Sequence, residues 1–193
     1  SKEASYLLAF CNNIGPLYFI SFALPLLKRT VILPYLFGMY GIPLLYGVVL
    51  RYTAYSDLSD TDKPQRPTNM TCGCGILEIL DEAINSALQS ILILGGYMIL
   101  FNLLMLLPRL SLPAYLPYLA PLLEITGGLS ILGSSLPLYS LCVLPFGGLS
   151  CLAQTYTCIR DTDLSLREYM QHKLILTAWT VIYYFLLRFL RLL

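Results

Sequence analysis

Residues 110–159 read LSLPAYLPYLAPLLEITGGLSILGSSLPLYSLCVLPFGGLSCLAQTYTCI, and this stretch decides the class of the protein. Glu124 is its only charged residue. About 20 apolar residues, each rising 1.5 Å, cross the hydrocarbon core of a bilayer. The stretch is therefore too long for one crossing and long enough for two, which predicts that this part of the chain lies in a membrane.

The rest of the chain has the same character. Residues 31–50 and 84–108 carry no charge, and the whole chain is 57% hydrophobic and 12% charged, against roughly 25% charged residues in soluble domains. Lys and Arg number 12 and Asp and Glu 11, without a long basic run, so nucleic acid is excluded as a partner. We predict an all-α, multi-pass integral membrane protein with six membrane elements.

The pattern divides the chain into three parts. Residues 1–50 form a two-span unit, whose first helix is broken at Asn12-Asn13-Ile14-Gly15-Pro16 because Pro16 cannot donate to the helical ladder. A kink is expected near Pro43 in its second span. Residues 51–75, rich in Asp, Ser, Thr and Pro, form a polar exposed loop. Residues 76–193 form the larger C-terminal membrane unit.

Within the C-terminal unit, a helix starts at Ile76 and is expected to end before Pro108. Prolines and glycine pairs interrupt residues 110–159 so often that two broken or re-entrant elements are predicted there rather than two smooth helices. Ser165 and Glu168 form a capping box for the last helix. His172, beside Lys173 near the start of that helix, is expected to be solvated.

Glu124 is the first candidate site residue. A carboxylate near the middle of a bilayer costs about 2.5–3.5 kcal/mol on insertion scales, and Thr126-Gly127-Gly128 follows it closely and allows a close backbone approach. One interpretation is a ligand, ion or proton site that faces a cavity. The other is an interfacial or protonated Glu that bonds to a neighbouring helix.

Two more polar segments also allow a functional and a structural interpretation. Asn12 and Asn13 either face a solute at the helix break or only cap the broken helix. After Gly147-Gly148, Ser150 and Gln154 share one helical face, which indicates either a solute site or small-residue helix packing. Three broken, polar membrane elements in one small protein are typical of a transporter. For the remaining doublet, Gly95-Gly96, tight helix crossing is the preferred interpretation.

Catalytic and metal motifs have little support in the sequence. A His-Glu-x-x-His zinc motif, a Gly-x-Ser-x-Gly elbow and a P-loop lysine pattern are missing. Cys72-Gly73-Cys74 has the wrong spacing for a zinc knuckle, and the only His lies far along the chain. We therefore expect no enzyme activity, no cofactor and no bound metal.

Taken in order, several segments resemble a known family. The chain looks like the sporulation integral membrane proteins of the YlbJ-like or stage V sporulation protein V group, which carry nucleoside-recognition gate membrane domains. The segments that carry this resemblance are residues 9–20 (AFCNNIGPLYFI), 95–101 (GGYMILF), 123–128 (LEITGG), 146–150 (FGGLS) with Gln154, and 162–165 (TDLS).

The resemblance implies a gate-like, multi-pass protein in the cell or forespore membrane of endospore-forming bacteria. Its family is implicated in moving dipicolinic acid towards the developing spore. Members carry a further membrane region upstream of the segment that matches Ser1, so this chain resembles their C-terminal half. The positions that match the family motifs are Asn12, Asn13, Gly15, Pro16, Glu124, Gly147, Gly148, Ser150 and Gln154.

Together these features predict a membrane transporter, or half of one, for a small solute, by resemblance dipicolinic acid. Glu124 would bind a coupling proton or cation, or orient the solute. The alternative is a membrane scaffold of a sporulation complex, with residues 51–75 docking a partner. The expected partners are a small-molecule solute, the lipid bilayer, and either an upstream membrane half or further copies of the chain in a homo-oligomer. The predicted solute or ion site comprises Asn12, Asn13, Glu124, Thr126, Gly147, Gly148, Ser150 and Gln154.

Overall fold

The computed structural model of the chain describes residues 2–27, 33–56 and 75–191. Every regular element among these residues is helical, as the sequence predicts. The α-helices are α1 Lys2–Cys11, α2 Pro16–Tyr18, α3 Leu24–Leu27, α4 Leu33–Leu36, α5 Ile42–Tyr52, α6 Ile76–Leu104, α7 Leu106–Ser111, α8 Leu116–Leu123, α9 Ile125–Leu132, α10 Pro137–Val143, α11 Gly148–Ile159 and α12 Leu166–Phe189.

The first span is broken where the sequence predicts. Residues 12–15 are not helical, and α2 starts at Pro16, a position at which the missing N–H of proline costs nothing. A π-helical segment, Phe19–Ala23, then leads into α3. In the second span, a π-helical segment at Phe37–Gly41 immediately precedes α5, which has Pro43 in its first turn. Such π-turns accommodate the ladder bond that a proline cannot make.

Four helices in the described part of the chain are long and apolar enough to cross a membrane: Lys2–Leu26, Leu33–Tyr52, Ile76–Ser111 and Pro137–Ile159. The chain is thus compatible with a multi-pass membrane protein, with four such helices where six membrane elements were expected. The third helix does not end before Pro108. After an irregular residue at Met105, α7 continues through Pro108 to Ser111.

Residues 110–159 fold into short helices rather than smooth spans. A 3₁₀ turn, Pro113–Tyr115, leads into α8, and Glu124 alone separates α8 from α9 with an extended backbone. These two helices of 8 residues each pack tightly on each other. At 1.5 Å per residue, neither is long enough to cross a bilayer. After them, α10 and α11 follow one another with a break between Val143 and Gly148.

Helix α12 lies at the centre of the fold and packs against α1, α5, α10 and α11. Its Leu176 belongs to a small core with Ala9 and Tyr46. Its Tyr184 belongs to a larger core, which includes Phe19 and Leu144. Because α12 contributes to both cores, it holds the N-terminal spans and the short helices of the C-terminal unit together.

The N-terminal unit also contacts α12 beyond the end of its second span. Helix α5 extends to Tyr52, two residues past the boundary expected at residue 50. In the following turn, the Tyr55 hydroxyl donates to Glu168 Oε1 at 2.7 Å. Burial and the Glu168 carboxylate raise the pKa of Tyr55 above its ordinary value, so the hydroxyl keeps the proton that it donates. The remainder of the expected loop, residues 57–74, lies outside the described residues, as do Cys72 and Cys74.

The glycine pairs differ in what surrounds them. A Cβ at Gly128 would collide with backbone atoms of Ala120 and Pro121, so only glycine lets α9 approach α8 this closely. The interpretation of Gly95-Gly96 as a tight helix crossing is wrong within the described chain. Neither residue has an atom of another described element within 4 Å of its Cβ position, although the nearby Tyr97 accepts a hydrogen bond from Thr157 of α11.

We expect Gly128→Ala to lower the free energy of unfolding by about 1–3 kcal/mol, since the added methyl forces the α8 backbone away. Gly96→Ala is the matched control. It adds the same methyl to an exposed helix interior, where alanine is favoured by up to about 1 kcal/mol. Denaturant titration of both variants in mixed micelles measures the difference. Equal stability of the two variants would contradict the close packing of α8 and α9.

Candidate functional site

The Glu124 side chain is buried and caps the N-terminus of α9. It is 1% exposed, and its Oε1 accepts from the Thr126 N–H at 2.9 Å, while Oε2 accepts from the Gly127 N–H at 2.6 Å. The Asn102 amide of α6 is the third donor to this carboxylate, and it bonds to Oε2 at 3.3 Å. Glu124 therefore bonds to a neighbouring helix, which was one of the two interpretations of the sequence. It also supplies acceptors for the backbone N–H groups at the break between α8 and α9.

Thr126 joins this carboxylate to the broken first span. Its hydroxyl oxygen accepts from the Tyr18 hydroxyl at 3.3 Å, and Tyr18 is the last residue of the short helix α2. The residues that follow the first break therefore touch those that follow the break at Glu124. We refer to Tyr18, Asn102, Glu124, Thr126 and Gly127 as the carboxylate cluster.

Gly147 and Gly148 bring the third break to the same place. Both have positive φ angles, 77° and 81°, which L-residues with a side chain rarely adopt. A Cβ at Gly148 would lie 3.1 Å from the Leu123 carbonyl oxygen and 3.3 Å from the Glu124 Cα. Gly148 therefore lies beside Glu124, whereas a Cβ at Gly147 would meet Cys151, and the start of α11 packs directly on the α8–α9 turn.

Asn12 forms a second polar cluster at the first break. Its side-chain amide donates to Thr155 Oγ1 at 2.9 Å and to the Tyr169 hydroxyl at 2.8 Å. Its backbone carbonyl, released by the end of α1, accepts from Lys173 Nζ at 2.6 Å. These four residues, Asn12, Thr155, Tyr169 and Lys173, are the ammonium cluster, which ties the first span to α11 and α12.

Asn13 behaves differently from Asn12. Its amide donates to the Phe10 carbonyl at 2.6 Å, only three residues back. It therefore caps the broken helix locally, which is one of the two roles expected for the pair. Asn12 instead bonds to residues of α11 and α12, a role that neither interpretation expected.

Helix α11 connects the two clusters. Gly148 at its start touches the carboxylate cluster, and Thr155, seven positions later, belongs to the ammonium cluster. Seven residues of helix span about 10 Å. Ser150, which is buried, and Gln154, which is partly buried, lie on α11 between these two contact points. Of the residues expected to form one site, Gly148, Ser150 and Gln154 thus lie along α11, whereas Asn12, Asn13, Glu124 and Thr126 lie outside it.

Lys173 is a site residue that the sequence analysis missed. It is 3% exposed, although a lysine near the start of the last helix reads as an interfacial charge. The signal was present in the spacing: Tyr169, Lys173, Leu176, Thr180 and Tyr184 form the buried stripe of α12. Their intervals of three and four residues place Lys173 on the core-facing side.

The expectation that His172 is solvated is also wrong. The His172 side chain is 15% exposed, and its Nδ1 shares a hydrogen bond of 2.7 Å with the Tyr46 hydroxyl. Its Nε2 lies 4.0 Å from Glu168 Oε1. The imidazole thus packs between α5 and the first turn of α12, and it faces away from the ammonium cluster.

Glu124 and Lys173 are the two side chains with a formal charge that are buried in the described part of the chain. They do not form an ion pair with each other, since each is bound within its own cluster. A buried charge is stable only where hydrogen bonds or an opposite charge compensate for lost water. The arrangement therefore offers an anionic and a cationic group, held apart along α11, inside an apolar helix bundle.

We expect Glu124→Ala to reduce the free energy of unfolding by about 1–3 kcal/mol, because the N–H groups of Thr126 and Gly127 lose their acceptor in a buried place. Glu82→Ala, on the exposed part of α6, is the control and should stay within about 0.5 kcal/mol of the wild type. Denaturant titration in micelles measures both. A Glu124→Ala variant as stable as the control would show that the cap contributes nothing.

No family model, curated protein or solved structure matches the chain.

Proposed function

We propose that the chain is a membrane transporter for a small solute, or half of one, with its site along α11 between the carboxylate and ammonium clusters. By the sequence resemblance, the solute is dipicolinic acid and the architecture is gate-like, with α8 and α9 as a re-entrant pair. The protein would act in the cell or forespore membrane of an endospore-forming bacterium.

The observation that carries this proposal is the meeting of three helix breaks. The break at residues 12–15 contacts α11 through Asn12 and Thr155. The break at Glu124 contacts the start of α11 at Gly148. In membrane proteins, non-helical backbone at depth is tolerated where it is buried in protein or lines a cavity. Discontinuous helices that meet around polar groups are the usual construction of a solute site in transporters.

The carboxylate of Glu124 has capacity for a coupling ion. Each carboxylate oxygen has two lone pairs; Oε2 accepts from Gly127 and Asn102, whereas Oε1 accepts from Thr126. One acceptor position on Oε1 remains for a proton or a cation. This supports the coupling role proposed for Glu124, because the carboxylate can bind such an ion without first losing its cap.

The scaffold alternative is favoured by one specific observation. All 29 residues of α6 lack a buried side chain, and the first half of the helix carries Glu78, Asp81 and Glu82. Such a helix offers a large surface for assembly with another membrane protein, either an upstream half or a second copy.

Equilibrium binding of labelled dipicolinate to the purified chain in detergent, between pH 5 and 8 and with uridine as competitor, tests the proposal. We expect saturable binding that Glu124→Gln weakens by about tenfold or more, equivalent to about 1.4 kcal/mol. Glu82→Gln, which removes an exposed carboxylate from α6, should bind as the wild type does.

Binding by a longer polypeptide with the upstream membrane region, but not by this chain, would mean that the site requires both halves. If neither binds, transport of dipicolinate or uridine is refuted and the scaffold proposal takes the lead. The scaffold proposal in turn expects that shortening residues 57–74 abolishes co-purification of partner membrane proteins, while Glu124→Gln leaves it intact.

A further inference from the structure

Lys173 is a buried lysine with unfilled hydrogen-bonding capacity. An ammonium group has three N–H donors, and within the described residues the oxygen acceptor of Lys173 is Asn12 O. No carboxylate in the described chain lies within ion-pair distance of it, since Glu124 is bound in its own cluster. A buried ammonium normally requires an anion or several acceptors to offset the loss of water.

Tyr169 places a second donor beside it. The two residues are one helical turn apart on the buried face of α12, and both bond to Asn12. The Tyr169 oxygen accepts from the Asn12 amide, which leaves its own O–H as a donor. This O–H lies beside the Thr155 hydroxyl and the Cys151 thiol. Lys173 has Asn12 O as its oxygen acceptor among the described residues, so its remaining donors lie next to Tyr169 without a strong acceptor of their own.

The helix break gives a route to these donors. Residues 12–15 make no helical ladder, and Asn13 and Ile14 are only half-buried. At Gly15 no atom lies within 4 Å of the Cβ position, so there is open space on one side of the break. A ligand that reaches Lys173 from this side would replace the Asn12 carbonyl with its own oxygen.

We infer that Lys173 and Tyr169 bind the carboxylate group of a small anionic ligand at the break of the first span. A carboxylate has two oxygens and supplies acceptors for the remaining donors of Lys173 and for the adjacent Tyr169 hydroxyl, while the ammonium supplies the charge. Glu124 carries the same charge as such an anion and would act on it only through a bound proton or cation, which separates its role from that of Lys173. That this carboxylate belongs to the transported solute rests on the proposed function, whereas the carboxylate site can be tested without transport.

The first test is thermal unfolding of the purified chain in detergent with acetate or benzoate, against chloride at the same ionic strength. We expect saturating benzoate to raise the unfolding midpoint by about 2 °C or more in the wild type. Arg167→Met removes an exposed positive charge from the same helix and should keep the full shift. Lys173→Met should lose the shift, and Tyr169→Phe should reduce it.

An equal shift in Lys173→Met and the wild type, or no shift in the wild type, would overturn the assignment. Because Lys173→Met can fail to fold, a second measurement uses the wild type alone. Reductive methylation followed by peptide mass spectrometry compares Lys173 with the exposed Lys2, with and without benzoate. Slower modification of Lys173 but not Lys2 supports the site, and an unchanged rate refutes it.

Dipicolinate and its neutral diamide then distinguish this site from the proposed function. The two compounds have nearly the same shape, but the diamide carries no charge. We expect dipicolinate to bind at least about tenfold more tightly to the wild type, and Lys173→Met to remove this preference. Benzoate stabilisation without dipicolinate binding would retain the carboxylate site and reject dipicolinate as the solute. Equal affinity for both compounds would refute charge recognition by Lys173.

Discussion

The structure depends on one constraint: backbone groups released by a helix break must find partners inside an apolar bundle. The break after α1 releases the Asn12 carbonyl, and the break at Glu124 exposes the first N–H groups of α9. In water such groups are solvated at little cost, but in hydrocarbon each unpaired group costs several kcal/mol. Lys173 satisfies the carbonyl, and Glu124 satisfies the N–H groups.

The two charges also match the polarity of the helices that they complete. Partial negative charge accumulates at the C-terminal end of a helix and partial positive charge at the N-terminal end. The ammonium of Lys173 lies beside the end of α1, and the carboxylate of Glu124 lies at the start of α9. Each buried charge therefore has a structural role, and a ligand at either cluster would compete with or extend a bond that the fold already uses.

The sequence predicts the breaks better than their partners. Pro16 and the glycine pairs interrupt helices for local reasons, so the interruptions can be recognised without knowing the fold. Glu124 is conspicuous because it is isolated among apolar residues. Lys173 is not conspicuous in the sequence, because Arg167 and Glu168 precede it and make the start of the helix polar. Its burial depends on α1 and α11, which contact it from distant parts of the chain. For the same reason, the exposure of Gly95-Gly96 could not be read from two adjacent glycines.

The bond between Lys173 and Asn12 joins residues 161 positions apart, which has a consequence for synthesis. A ribosome adds about 5–20 residues per second. Lys173 is therefore synthesised on the order of ten seconds after Asn12. During this interval the Asn12 carbonyl has to remain near water or within the insertion machinery. The first helix can therefore settle at its final depth only after the last helix has been made, and the chain must assemble as a whole rather than span by span.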